Sequence, residues 1–218
     1  MPLKEYIIND IKPLNINDKV GDLKMMFNEL TYSHIPIENN NVYLGCISET
    51  DVHCFDANKA ILDCRHALED FFVRSNTKWL EVIETFAQHA CNIMPVLDEE
   101  NNYLGYYELN DIIGIFNETP FFSEPGGTLI IEKGIKDYSF SEISQIVESN
   151  DGKILGAFIS KIENDLVQVT IRIGNIGLNN LIQTFRRYSY NIVSGHEEDT
   201  YIENLKERSQ YLNKYLNI

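Results

Sequence analysis

The 218-residue chain has no long hydrophobic run and only four cysteines. No apolar stretch approaches the roughly 18 residues of a membrane-spanning helix, which argues against a membrane span. The start of the chain has no basic segment followed by an apolar block, so we expect no signal peptide and a cytoplasmic location. No cysteine stands in a C-x-x-C pair or at zinc-ligand spacing with histidine, which predicts small, partly buried apolar residues in a reducing compartment.

Basic residues are scarce, because 18 lysines and arginines stand against 33 aspartates and glutamates, for a net charge of -15. A field of that sign repels nucleic acid and anionic membrane, so we expect neither as a partner. It also disfavours a triphosphate ligand unless a basic pocket or a metal ion helps. The sequence has no phosphate-binding loop, dinucleotide fingerprint, Ser/His/Asp order or metal-ligand cluster, and we predict no catalytic residue and no metal site.

The first half contains a repeat of about 59 residues. The copies are marked by SHIPI at 33–37 and NIMPV at 92–96, by LG at 44–45 and 104–105, and by Asp51 and Asp111. Two copies predict a pair of small modules about a pseudo-two-fold axis, with a ligand-sized cleft between them. Each copy reads as helix, strand, strand, helix, and Asp18 and Thr77 are the expected caps of the two first helices.

Two prolines and two glycines between residues 120 and 127 predict a domain break. We therefore predict a first repeat over residues 1–60, a second over 61–120 and a separate domain over 126–218. The last domain reads as βαββαβ, a ferredoxin-like α+β fold, with a C-terminal helix. Its expected first strand is 128–136, its expected hairpin strands are 153–162 and 166–173, and its expected last strand is 191–195.

Pro36, a turn and the sequence LGCISETD at 44–51 resemble the signature of a CBS domain, and Pro95 with LGYYELND at 104–111 repeats it. The tandem, over residues 1–118, resembles the CBS pair known as a Bateman module. The order of elements in the remainder resembles an ACT domain. The combination is similar to the acetoin-utilisation regulatory type of protein.

This resemblance implies an adenine nucleotide (AMP, ADP or ATP) or another adenosyl ligand in the cleft, although no cofactor is certain. It implies that the motif Asp accepts hydrogen bonds from the ribose hydroxyls, that the Ser or Thr faces the phosphate, and that apolar residues near the Pro line the base. The binding residues carried over to the first cleft are Ile16, His34, Ile35, Pro36, Ser48 and Asp51. Those carried over to the second cleft are Met94, Pro95 and Asp111.

Glu108 departs from the pattern, since it stands where Ser or Thr is expected. A carboxylate about 4 Å from a phosphate costs on the order of 4 kcal/mol at an effective dielectric constant of about 20. The second cleft is therefore expected to be empty, to hold an uncharged adenosine moiety, or to need a cation. Asp111 remains in place to hold a ribose.

Simpler explanations of the same residues stay open. Residues 48–51 also form a plausible capping box that needs no ligand, and Asn110 offers a cap for the matching helix of the second repeat. His34 in this setting is more often a partly exposed strand residue than a ligand contact. ACT domains that bind amino acids carry a Gly in the loop after the first strand, and the expected loop at 136–139 has none, which favours a packing or dimerisation role.

These observations predict a non-enzymatic regulatory protein that senses an adenosyl compound, forms a homodimer as CBS pairs commonly do, and reports to a protein partner. The alternative is an oligomerisation module without a ligand. A hydrolase in the C-terminal half is a third possibility, for which the sequence has no motif.

Overall fold

The computed structural model describes residues 3–174 and 177–193. The chain divides into two compact units, Met1–Phe116 and Asn117–Ile218. The border lies shortly before the predicted break at 120–127. The expected C-terminal helix and the part of the last strand beyond Val193 lie outside the described residues. The boundaries of the three predicted domains stay predictions.

The first unit contains one order of elements twice. The first copy consists of β1 (Leu14–Asn15), α1 (Val20–Glu29), β2 (His34–Asn39), β3 (Val42–Ser48) and α2 (Glu49–His53). The second consists of β4 (Val73–Arg74), α3 (Trp79–His89), β5 (Ile93–Leu97), β6 (Tyr103–Glu108) and α4 (Leu109–Asn117). Each copy forms a three-stranded sheet, in the orders β1-β2-β3 and β4-β5-β6, in which the short first strand is parallel and the hairpin antiparallel. The sequence did not predict the two-residue strands.

The expected helix caps are wrong by one residue in both copies. Lys19 and Lys78 are the N-caps of α1 and α3. The Asp18 carboxylate instead accepts a hydrogen bond from Asn15 N at 2.8 Å, and the Thr77 hydroxyl accepts one from Arg74 N at 2.9 Å. A short polar side chain closes a local turn as readily as it caps a helix, so both residues fix the turn that joins the short strand to the helix.

In each repeat, the strand that carries the Leu-Gly motif also pairs with a segment from outside its own hairpin. The N-terminal segment pairs with β6 through Ile8 and Tyr106, and the linker between the repeats pairs with β3 through Glu69 and Cys46. A Cβ at Gly105 would lie 2.3 Å from the Ile8 carbonyl oxygen, and one at Gly45 would lie 2.9 Å from that of Glu69. Both glycines have positive φ, 149° at Gly105 and 141° at Gly45, so their place in the repeat has a structural cause.

Three of the four cysteines, Cys46, Cys64 and Cys91, are buried, whereas Cys54 is exposed. Burial raises the pKa of the Cys91 thiol to about 12, and it raises that of Cys46 as well. Both thiols are therefore protonated near neutral pH and behave as small apolar groups.

The second unit opens with α5 (Pro120–Ser123), inside the predicted break. It continues with β7 (Gly126–Gly134), α6 (Phe140–Ser149), β8 (Ile154–Glu163), β9 (Leu166–Gly174), α7 (Leu178–Arg187) and β10 (Asn191–Ile192). The sheet is antiparallel, with the order β10-β7-β9-β8. This is the ferredoxin-like order of a βαββαβ chain, and the predicted α+β fold class is confirmed.

The first strand of this unit begins and ends two residues earlier than predicted. Its pairing with β9 starts at Gly126 opposite Gly174 and ends at Gly134 opposite Leu166. The loop to α6 therefore begins directly after a glycine, where a Cβ would lie 2.9 Å from the Asp137 carboxylate. The end of the strand was predicted two residues too late, and for this reason the expected loop contained no glycine. The loop sequence therefore no longer favours packing over amino-acid binding.

Candidate functional site

The two repeats meet at equivalent residues, Ser33 and Asn92, which lie just before β2 and β5. Ser33 N donates to Asn92 Oδ1 at 2.8 Å, and Asn92 N donates to Ser33 Oγ at 3.0 Å. Their carbonyl oxygens accept hydrogen bonds from Glu49 N and Leu109 N, both at 3.0 Å. The first turn of α2 and of α4 is thereby anchored beside the seam between the repeats, which is where the sequence motifs place their Asp residues.

At the first cleft, the structure brings Ser48 and Asp51 together. Ser48 is the N-cap of α2, and its hydroxyl accepts a hydrogen bond from Asp51 N at 3.1 Å. The same hydroxyl lies 2.9 Å from Asp51 Oδ2 and donates to it. The capping interaction therefore exists, and it holds the half-buried Asp51 carboxylate in one orientation. A fixed carboxylate is also what paired ribose hydroxyls require, so the cap and the ligand role are compatible.

His34 is buried, with 6% of its surface exposed, so the expectation of a partly exposed strand residue is wrong. Its Nδ1 lies 2.8 Å from Ser33 Oγ, and its Nε2 lies 3.2 Å from Glu69 Oε1. The ring meets Phe71 edge to face, with 5.2 Å between the centroids. Because both ring nitrogens already have protein partners, His34 ties β2 to the linker, and a ligand that used it would have to replace one of these contacts.

The apolar residues carried over from the resemblance lie mostly inside the repeats. Ile16 and Ile35 belong to the core of the first repeat, and Met94 is fully buried in the core of the second. Pro36 and Pro95 are buried in their strands. The assignment of these side chains as contacts to a base stays a prediction.

The second cleft differs from the first. Asp111 is exposed in the first turn of α4. The Glu108 carboxylate, however, accepts a hydrogen bond of 2.5 Å from the hydroxyl of Tyr32, a residue of the other repeat. Glu108 departs from the motif in the sequence, whereas Tyr32 was not predicted, because its only sequence signal is its place next to the repeated segment that starts at Ser33.

An apolar pocket of about 590 Å³ lies between α3 and α4, and Ser33 and Asn92 contribute to its wall. The helices contribute Ile83, Ala87, Leu109 and Ile113. Ile113 is 47% exposed, and Leu80 on α3 is 66% exposed. This face of the second repeat therefore presents apolar surface beside the seam.

Comparison with known proteins identifies a CBS domain in the second repeat, because the family model of that description matches residues 67–118. The inosine-5'-monophosphate dehydrogenase of Methanocaldococcus jannaschii is 21% identical over 152 residues, which are 66% of this chain and 29% of that enzyme. The chain thus matches less than a third of the length of that curated relative.

Two solved structures are similar to about half of the chain. The CBS domain pair/ACT domain protein of Thermotoga maritima is 18% identical, with a TM-score of 0.49, and the match covers 54% of this chain and 98% of that one. The CBS domains of a transcriptional regulator from Streptococcus pneumoniae are 18% identical, with a TM-score of 0.47, and the match covers 52% and 98%. Among the described residues, no helix is long and apolar enough to cross a membrane.

Proposed function

We propose that the first unit is a CBS pair that binds an adenine nucleotide or another adenosyl compound in its first cleft, and that the protein is regulatory rather than enzymatic. The observation that carries the proposal is the Ser48–Asp51 pair, which is held by its own hydrogen bonds at the first turn of α2. The equivalent turn of the second repeat, with Asp111, lies in the segment that matches the CBS family model.

The chemistry of this turn suits a ribose. A carboxylate accepts two hydrogen bonds side by side, and the 2′- and 3′-hydroxyls of a ribose offer two neighbouring donors. The acidic surface of the chain, with a net charge of -15, favours ligands with few phosphates, such as AMP or adenosine, over ATP without a cation. We expect ligand binding to bias the placement of the two repeats, and the ACT-like second unit to report that change to a protein partner.

A thermal-shift screen tests this function directly. The protein is heated with AMP, ADP, ATP, adenosine or S-adenosylmethionine, each with and without Mg²⁺. A ligand present at about 100 times its dissociation constant stabilises the folded state by about 2.7 kcal/mol, which gives a clear rise in melting temperature. Guanosine monophosphate serves as the matched control for a base-independent effect. No shift with any adenosyl compound would contradict the proposal.

The apolar face of α3 and α4 favours a second function, a homodimeric interaction module without a ligand, in the reducing environment of the cytoplasm. Leu80 and Ile113 expose enough apolar surface there to pack against a second copy. Sedimentation analysis of the wild type and of Ile113→Asp tests this proposal. A dimer that the substitution converts to a monomer supports it, whereas a wild-type monomer at all concentrations would refute it.

A further inference from the structure

Two tyrosine–carboxylate hydrogen bonds lie side by side at the second cleft. The Tyr32 hydroxyl donates to Glu108 Oε1 at 2.5 Å, and the Tyr106 hydroxyl donates to Asp10 Oδ1 at 2.5 Å. The two hydroxyl oxygens lie 3.1 Å apart. The two pairs bring together residues of the N-terminal segment, the first repeat and the second repeat.

The two tyrosines are built into this position. Their rings pack edge to face, with 5.6 Å between the centroids and 71° between the planes. Tyr106 is fully buried, in a small cluster with Ile11 and Ile93. Burial, followed by the hydrogen bond to Glu108, raises the pKa of Tyr32, and burial followed by the bond to Asp10 raises that of Tyr106. Both hydroxyls therefore stay protonated and remain donors to the two carboxylates.

The first cleft has no counterpart of these two pairs. The repeat places Cys91 at the position equivalent to Tyr32, Cys46 at that of Tyr106, and Ser48 at that of Glu108. Two phenol rings in one half thus correspond to two small thiol side chains in the other. The side chains at these positions therefore break the pseudo-two-fold symmetry of the backbone.

We propose that Tyr32 closes the second cleft by clamping Glu108, so that the two repeats are tied together there and ligand binding is confined to the first cleft. The part that concerns the ligand rests on the proposed function, whereas the clamp does not. A ligand seated on Asp111 would approach position 108, three residues earlier at the end of β6, and would have to displace the Tyr32 hydroxyl. The carboxylate would then lose a short, charge-assisted hydrogen bond.

A double-mutant cycle with Tyr32→Phe and Glu108→Ala tests the clamp in the full chain, with unfolding in urea as the readout. Each single substitution removes the hydrogen bond, so we expect Tyr32→Phe to raise the unfolding equilibrium constant of the first unit about tenfold. In the Glu108→Ala background, the same substitution is expected to have little effect. Equal effects of Tyr32→Phe in the two backgrounds would overturn the clamp.

Tyr107→Phe is the matched control, because it removes a tyrosine hydroxyl that is buried in the second repeat, beside Glu108, but has no hydrogen-bond partner among the described residues. It is expected not to raise the unfolding constant. If Tyr107→Phe and Tyr32→Phe destabilise the chain equally, the loss at Tyr32 comes from removing any buried hydroxyl, and the clamp is refuted.

Isothermal titration with AMP tests the confinement of the ligand. The wild type should bind one AMP per chain, and the variant with Tyr32→Ala and Glu108→Ser, which removes the ring and the carboxylate, should bind close to two. Two AMP per wild-type chain, or one per chain in the folded variant, would overturn the closure while leaving the proposed function standing. No AMP bound to the wild type would count against the proposed function, and the double-mutant cycle would still decide the clamp.

Discussion

At the scale of single residues, two neighbouring side chains of β6 differ in whether their polar groups have a hydrogen-bond partner. Glu108 has the Tyr32 hydroxyl at 2.5 Å. Tyr107, the residue before it, is fully buried, and its hydroxyl has no hydrogen-bond partner among the described residues. The equivalent residue of the first repeat is Ile47, which is also fully buried. The first repeat thus buries an apolar side chain at this position, so packing of the second repeat does not require the Tyr107 hydroxyl.

We predict that Tyr107→Phe leaves the free energy of unfolding unchanged or raises it by about 1–2 kcal/mol, because it removes a desolvated group that makes no hydrogen bond. Unfolding in urea of the wild type and the variant measures the difference. A loss of more than about 1 kcal/mol would show that this hydroxyl has a partner in solution.

The sequence could predict the Ser48–Asp51 pair because its members are three residues apart and the helix geometry brings them together. It could not predict the partner of Glu108, since Tyr32 is 76 residues away and its position depends on how the repeats pack. The same limit applies to His34, whose partner Glu69 belongs to the linker. Contacts between residues close in sequence can be predicted from the motif, whereas contacts between the repeats or with the linker cannot.

At the scale of elements, the two outside segments that pair with β3 and β6 determine which positions must be glycine. Gly105 accommodates the backbone of Ile8, with φ of 149°. Gly114, in α4, has no atom within 4 Å of the place where a Cβ would stand. The chain thus offers two glycines of the same repeat with opposite requirements.

We predict that Gly105→Ala lowers the free energy of unfolding by more than about 2 kcal/mol, because the new Cβ meets a backbone carbonyl and the φ angle is strained. Gly114→Ala is the matched control. It should raise the free energy of unfolding by about 0.5–1 kcal/mol, since alanine is the better helix former. Chemical denaturation compares the two variants, and equal effects would mean that the N-terminal segment does not pair with β6.

The elements of the second unit are joined by an ionic cluster. Lys133 on β7 lies 2.7 Å from the Glu142 carboxylate on α6, and the Tyr190 hydroxyl, just before β10, donates to the same oxygen at 2.7 Å. The Lys133 ammonium also lies 4.2 Å from the centre of the Tyr190 ring. The hydrogen bond from Lys133, followed by that from Tyr190, holds the pKa of Glu142 below its usual value.

This shift predicts a pH dependence of stability. Glu142 titrates near pH 4.3 in an unfolded chain and lower in the fold, so its contribution is complete above about pH 5 and is lost as the pH falls through the folded pKa. We expect Glu142→Gln to be less stable than the wild type at pH 7 and to lose less stability between about pH 5 and pH 3. Denaturant midpoints across that range measure both effects, and parallel curves for the two proteins would contradict the assignment.

At the scale of the whole molecule, the features that recur at regular spacing along the sequence were the easiest to predict. The repeat and the βαββαβ order gave the architecture of both units, because hydrophobic spacing and turn residues report on elements of ordinary length. The two-residue strands β1 and β4 escaped prediction, since such short segments carry no period. The early start of β7 escaped as well, because Gly126 and Gly127 suggest a turn, whereas their pairing with β9 makes them strand residues.

The charge of the chain also acts at this scale. The first 120 residues hold 20 acidic and 8 basic side chains, so the unit proposed to bind the ligand is strongly acidic. A nucleotide with one phosphate meets less repulsion there than one with three. The proposed nucleotide binding therefore depends on the recognition of a ribose by Asp51 more than on electrostatic attraction of a phosphate.

The most direct measurement is an isothermal titration of AMP into the wild type, Asp51→Asn and Asp111→Asn. Asparagine keeps one oxygen to accept the hydrogen bond from Ser48, so the fold of α2 is retained while the second acceptor and the charge are lost. We predict that Asp51→Asn weakens AMP binding at least about tenfold and that Asp111→Asn leaves it unchanged. Equal binding by the wild type and Asp51→Asn, or a loss confined to Asp111→Asn, would contradict this prediction.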